Sequence, residues 1–336
     1  MNLTSYIARR LALMVLVVFG VLVITFVISH VIPADPVLAI LGGNAPAERV
    51  DALRRQLGLD RPLPQQFVAY LWGAVRGDLG RSLRTGRPVW QDIQQYFPAT
   101  VELTLSAILV AIVLGIPLGV ISATRRNQVQ DHTTRVFSIV GVSMPVFWTG
   151  LVLLLLLYYR LGWLPGPGRL DLAILPPPTR TRLLILDSLL AGNWAALGNA
   201  VAHLIMPAFV LGYVATATIA RVTRSSMLDV LFQDYIRTAR SKGLVERVVI
   251  LRHALRNALI PTVTVIGLVF GGLLEGSVLT ETIFAWPGLG RYITTGYISL
   301  DYPAVMGGTL YIAVVFSIVN LLVDLTYAFL DPRIRL

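Results

Sequence analysis

Six apolar runs, each about 20 residues or longer and so able to cross a bilayer, predict an all-α polytopic membrane protein with six transmembrane helices. Two further observations agree. Hydrophobic residues make up 55% of the 336-residue chain and charged residues only 14%, about half the charge of a soluble protein of this size. The basic residues also gather in certain gaps between the apolar runs, where Arg and Lys mark the cytoplasmic side. A net charge of +10 is therefore read as topological anchoring rather than as a nucleic-acid surface. Cysteine is absent, which excludes a disulfide, thiol catalysis and a thiolate metal site.

The first span runs from Leu11 to Ile32, after Arg9 and Arg10. It is longer than a signal-peptide core and has no convincing cleavage site, so it is predicted to stay, with its N-terminal side inside. An extracytoplasmic segment over 33–98 follows, with predicted helices at Pro46 to Leu57 and Gln65 to Val75. Its Gly77-Asp-Leu-Gly-Arg-Ser-Leu83 has the glycines of a phosphate loop, but no Lys-Ser/Thr follows and no strand precedes it. The permease core is placed at 99–336. Its spans are predicted at Val101–Ala123, Val136–Leu161 with Pro145 inside, Val201–Ala220, Leu259–Leu279 and Ala304–Leu330. Arg125, Arg126 and Arg135 mark an inside turn. The stretch Gly162 to Asn199 is proline-rich and outside, and its apolar Leu183 to Leu190 is too short to cross. Glycines and prolines within the spans are expected mainly to let helices approach closely.

The gap after the fourth span carries the strongest signal. A cytoplasmic loop over 221–258 holds eight basic residues against three acidic ones, whereas Thr280 to Tyr302 holds one Arg against two acids. Within it, Asp234 to Pro261 reads as helix, glycine, helix. Tyr235 to Lys242 favours a helix, with Arg240 and Lys242 at the end that suits positive charge. Gly243 can take the left-handed cap. A second helix is predicted from Leu244 to Leu259, with Leu244, Val248, Leu251 and Leu255 on one side and Glu246 and His253 opposite. Val249 and Ile250 fall off that stripe.

This stretch resembles the loop through which ABC importer permeases meet their ATPases. Asp234-Tyr-Ile-Arg-Thr-Ala-Arg-Ser-Lys-Gly243 and Arg252-His-Ala-Leu-Arg-Asn-Ala258 are similar to the dipeptide/oligopeptide (peptide/nickel) branch. The general Glu-Ala-Ala opening is replaced by Arg237-Thr238-Ala239. Gly77 to Leu83, Glu281-Thr-Ile-Phe-Ala-Trp-Pro-Gly-Leu-Gly290 and Asp331-Pro-Arg333 resemble the same branch, as does Pro33-Ala-Asp-Pro36, where Ala34 replaces a usual glycine. The likeness covers nearly the whole chain and points to the B-type permease subunit.

The resemblance implies the type I importer permease fold and a place in a bacterial cytoplasmic (inner) membrane, with both termini cytoplasmic. It also implies a second homologous permease, two ATPase subunits, an extracytoplasmic substrate-binding protein and surrounding membrane lipid, with no nucleic acid. No Walker motif occurs, so ATP and Mg belong to the partners and no cofactor to this chain. The loop residues expected to meet the ATPases are Asp234, Tyr235, Arg237, Thr238, Ala239, Arg240, Lys242, Gly243, Leu244, Glu246, His253 and Arg256.

No catalytic or metal site is read from the sequence. His30, His132, His203 and His253 form no i, i+4 pair, and Gly141-Val-Ser143-Met-Pro145 lacks the second glycine of a serine-nucleophile setting. Ionisable groups inside spans are costly and so point to function. Glu275, Asn320 and Asp324 are candidates for the translocation path, although Glu275 could equally be hydrated at the interface and Asp324 paired structurally. Pro145 and Pro261 are candidate hinges. Two alternatives stay open: another cargo such as a nickel chelate, glutathione or an opine, and an ion-coupled secondary transporter, for which no internal repeat is seen.

Overall fold

The computed structural model describes residues 3–31, 36–42, 45–56 and 58–330. Pro33, Ala34 and Asp35, and the terminal Asp331-Pro332-Arg333, lie outside the described residues. Fourteen helices make up the described chain: α1 Leu3–Val31, α2 Pro36–Leu41, α3 Ala47–Gln56, α4 Leu63–Val75, α5 Val89–Thr124, α6 Val129–Ser143, α7 Val146–Leu153, α8 Leu184–Leu190, α9 Trp194–Leu231, α10 Asp234–Ser241, α11 Glu246–Val248, α12 Leu255–Ile283, α13 Leu289–Ile298 and α14 Tyr302–Leu330. Wide-turned π segments follow α7 (Leu154–Arg160) and α11 (Val249–Ala254). The described residues contain no strand, only one isolated bridge between Arg81 and Pro88.

Among the described residues, five helices are long and apolar enough to cross a membrane: those of α1, α5, α9, α14, and the run Glu246–Ile283. Val129–Ser143 with Val146–Arg160, bent by 106° at the break, passes the same test as a pair and makes a sixth when taken as one span. Sequence reading expected one helix there. Proline has no N–H to donate and drives the residue before it out of the helical region. Met144 accordingly sits at ψ 127° and Pro145 at ψ 134°, and α7 restarts behind them. Several helices exceed the bilayer: the 36 residues of α5 would span roughly 54 Å against a core of about 30 Å.

The contacts divide the chain into two compact units, 1–99 with 287–318, and 100–286 with 319–336. In the first, Leu22, Leu79, Val89, Ile93, Leu289 and Tyr292 share an apolar core. Two buried aspartates tie its loops. Asp301 accepts from the Ser82 hydroxyl and the backbone N–H of Arg84, and Asp92 pairs with Arg87 and accepts from Thr85 and Tyr292. The Gly77 to Leu83 motif is thus architectural: it seats Leu79 and Ser82 in this core.

In the second unit, α9 is the central helix and packs most extensively on α12 and α6. A Cβ at Gly212 would lie 2.5 Å from the Ala107 carbonyl oxygen, and one at Gly119 would lie 2.6 Å from Thr223. These glycines serve the close helix approach expected of them. The buried Glu281 accepts from Thr100 at 2.6 Å, and the guanidinium of Arg169 bonds Glu102 while lying 5.6 Å from the Trp286 ring centre. The Glu281 to Trp286 motif is therefore also held from within.

Candidate functional site: a basic helical loop

The loop after α9 is built on a small face of alternating size. α10 opens at Asp234, whose charge suits the positive end of the helix, and closes with Arg240 in its last turn. Ile236 and Ala239, three residues apart, turn inward. They pack with Ala123 of α5, Met227 of α9, and Val249, Ala254 and Ala258. The loop therefore rests on the ends of three helices that each run on as membrane spans.

Gly243 makes the turn at φ +76°, a conformation that costs a residue with a Cβ roughly 1–2 kcal/mol. Its N–H bonds the Arg240 carbonyl at 2.9 Å. Across the turn, the Arg240 guanidinium donates to both oxygens of Glu246, at 3.1 and 2.7 Å. That pairing lowers the Glu246 pKa and raises that of Arg240, mainly through the hydrogen bonds. Both side chains remain about half exposed, at 43% and 55%. Asn257 on α12 donates to the Tyr235 hydroxyl at 2.8 Å, tying α10 to the span that follows.

The outward face carries Asp234, Arg237, Thr238, Arg240, Lys242, Leu244, Glu246 and Arg256, all exposed, and His253 is half-buried. Beside them Val245 is 70% exposed. Of the residues expected to face a partner, Ala239 alone is buried; it holds the loop down.

Two details differ from the sequence expectation. The second helix begins at Glu246 rather than Leu244, and it does not stop at Leu259: α12 runs through Pro261 to Ile283. The expected apolar stripe is also not the packed face. Val248 and Leu251 are exposed, whereas Val249 is buried and Ile250 half-buried. The π segment Val249–Ala254 explains this, because a wider turn shifts which residues point inward relative to a 3.6-residue period.

The remaining expected residues are scattered. Glu275 is exposed on α12, and Asn320 and Asp324 are half-buried one turn apart on α14. Pro145 lies at the sharp bend and Pro261 inside a continuous helix. Among the described residues no group of three or more metal-ligating side chains occurs.

Sequence reading missed Asp131. It is fully buried and accepts from Ser122 at 2.6 Å, from the Asn127 N–H at 2.9 Å, and from Arg224 at 2.8 and 3.0 Å, with Arg135 at 3.7 Å. One carboxylate thus fastens the α5–α6 turn to α9, just before the loop. The signal was a lone acid amid Arg125, Arg126 and Arg135.

The architecture is that of a helical membrane component whose one strongly basic loop is folded against its own spans. The chain belongs to the family of binding-protein-dependent transport system inner membrane components, whose model matches residues 115–336; the N-terminal model of the same family matches 3–104. The resemblance to the peptide branch is borne out by its relatives. The chain is 49% identical over 99% of its length, and 98% of the relative's, to the probable D,D-dipeptide transport system permease protein of Escherichia coli strain K12. It is 47% identical, over 98% of both chains, to the di/tripeptide transport system permease protein of Pseudomonas aeruginosa strain UCBPP-PA14. It is 38% identical, over 98% of this chain and 99% of the other, to the glutathione transport system permease protein of E. coli O6:H1 strain CFT073.

Proposed function

We propose that this chain is the translocation subunit of an ATP-driven importer for dipeptides or short oligopeptides in a bacterial cytoplasmic membrane. The observation that carries the coupling role is the loop's geometry. Its inner face is locked to three spans through Ile236, Ala239, Val249, Ala254 and Ala258. Its outer face is free and basic around a turn that glycine best adopts. Such a loop can transmit a push without unfolding.

On this reading the loop faces the cytoplasm, together with both termini. Two ATPase subunits grip it and supply ATP and Mg; this chain performs no chemistry of its own. A second, homologous permease completes the path, and a binding protein outside delivers the peptide. Glu275, Asn320 and Asp324 are the path candidates, and the α6–α7 break at Pro145 is a better hinge candidate than Pro261, since only the former interrupts a helix. Relatives named for dipeptides at 49% and 47% identity favour that cargo over glutathione at 38%.

The test is Gly243→Pro in proteoliposomes holding the full importer. Proline cannot adopt a positive φ, so the turn must rearrange. Peptide uptake is expected to fall at least tenfold while ATP hydrolysis by the complex persists. Uptake at the level of the unaltered complex would refute the coupling role.

A further inference from the structure

The first unit contains a cavity of about 390 Å³ at the end of the first span, lined in part by Phe26 and Met306 and, on its polar side, by Arg55, Arg61, Gln66 and Tyr70. Three features of this lining bear on what it takes. It holds two arginines and no carboxylate. The side chain of Arg61 has no hydrogen-bond or ion-pair partner among the described residues, and Arg55 uses only its Nε, on the Asp51 carbonyl at 3.3 Å. The Tyr70 hydroxyl is buried with no hydrogen-bond partner. A buried hydroxyl left unbonded costs free energy, and burial raises its pKa, so it remains a donor.

The lining therefore offers the N–H donors of its arginines and the unbonded O–H of Tyr70 to an anion. A zwitterionic peptide fits poorly, because its ammonium would meet arginines and no acid. An anion with an apolar body fits well. On α1 the cavity is lined by Phe26 and His30, at the C-terminal end of that helix. These two residues belong to the end of a run apolar enough to cross the membrane, Ile7–His30, and the end of a spanning helix comes to the level of the lipid headgroups. Acyl chains can lie along it with the phosphate above.

We propose that this cavity binds the phosphodiester headgroup of an anionic phospholipid, with Arg55 and Arg61 on the phosphate oxygens and the Tyr70 hydroxyl as an additional donor. Guanidinium groups suit phosphate because their paired N–H donors match its oxygens. The site would fasten the first span and the segment after it to one lipid.

The experiment uses the full importer in nanodiscs of phosphatidylcholine containing one-tenth phosphatidylglycerol, read by native mass spectrometry. One phosphatidylglycerol is expected to stay on each copy of this chain after phosphatidylcholine is stripped. In Arg55→Ala/Arg61→Ala its occupancy should fall at least tenfold, in Tyr70→Phe about threefold, and in Arg55→Lys/Arg61→Lys by less than in the alanine pair, since the charge is kept and the paired donors are lost. Equal retention of the two lipids, or unchanged occupancy in the double alanine variant, would overturn the proposal. So would displacement of the lipid by millimolar inorganic phosphate or by a dipeptide, which would mark a site for a small soluble anion or for cargo.

Discussion

Two arginine–carboxylate pairs of the second unit share a geometry and differ in surroundings. Arg224 reaches the oxygens of Asp131 at 2.8 and 3.0 Å, and Arg240 those of Glu246 at 3.1 and 2.7 Å. Asp131 is fully buried, and Ser122, Asn127 and Arg135 also surround it. Glu246 is 55% exposed and, among the described residues, pairs with Arg240 alone. A buried carboxylate is held because leaving it or its partner unmatched is costly, whereas an exposed pair contributes little net stability. The comparison separates a fastening from a handle. The first pair fixes α6 to α9; the second shapes a surface that another protein can take over.

The largest effect is expected at the buried member. Asp131→Ala leaves Arg224 and Arg135 facing each other without a counter-charge, and should cost about 3 kcal/mol, discounted for the partial exposure of Arg224. It should appear as a clear drop in the melting temperature of the purified importer in detergent. Part of the loss should return in Asp131→Ala/Arg224→Leu. If the single variant melts normally, the contrast between the pairs fails.

Arg240→Glu should do the reverse. Two glutamates then face each other across the Gly243 turn, but both are exposed, so stability should change by no more than about 1 kcal/mol. Uptake should nonetheless fall several-fold at constant expression, because the outward charge has been inverted. A variant that melts early but transports normally would place the loop with the fastenings.

The smallest effect is expected from pH. Hydrogen bonding to Arg240 holds the Glu246 pKa below its ordinary value of 4.5. A lowered folded pKa means that the pair's contribution is present above that ordinary value and is lost as pH falls through the lower, folded one. Between pH 7 and pH 5 the loop pair should therefore contribute no pH dependence to melting. A melting difference between the unaltered protein and Glu246→Gln that changes over that interval would contradict the assignment.

The parts of this molecule legible in sequence were those set by composition over a long window or by one residue's backbone. The bilayer demands long apolar runs, so the crossings were visible, and Gly243 marked its turn because few other residues tolerate a positive φ. The 106° break was half visible: Pro145 was noticed, but whether a proline kinks or interrupts a helix depends on packing around it. The inward face of the second loop helix was misjudged because a π segment abandons the period on which the reading relied. Asp131 with Arg224, and Glu102 with Arg169, were illegible because they join residues 93 and 67 positions apart. No local pattern records such pairings.

The central claim is that the Gly243 loop is covered by an ATPase subunit in the working importer. The chain has no cysteine, so Val245→Cys, at an exposed position beside the turn, introduces its only thiol. Labelling that thiol with a membrane-impermeant maleimide in inside-out vesicles measures the claim directly. Slow labelling with the ATPase subunits bound, and fast labelling after they are stripped, is the expected result. Equally fast labelling in both states, or labelling only from the opposite side of the membrane, would contradict it.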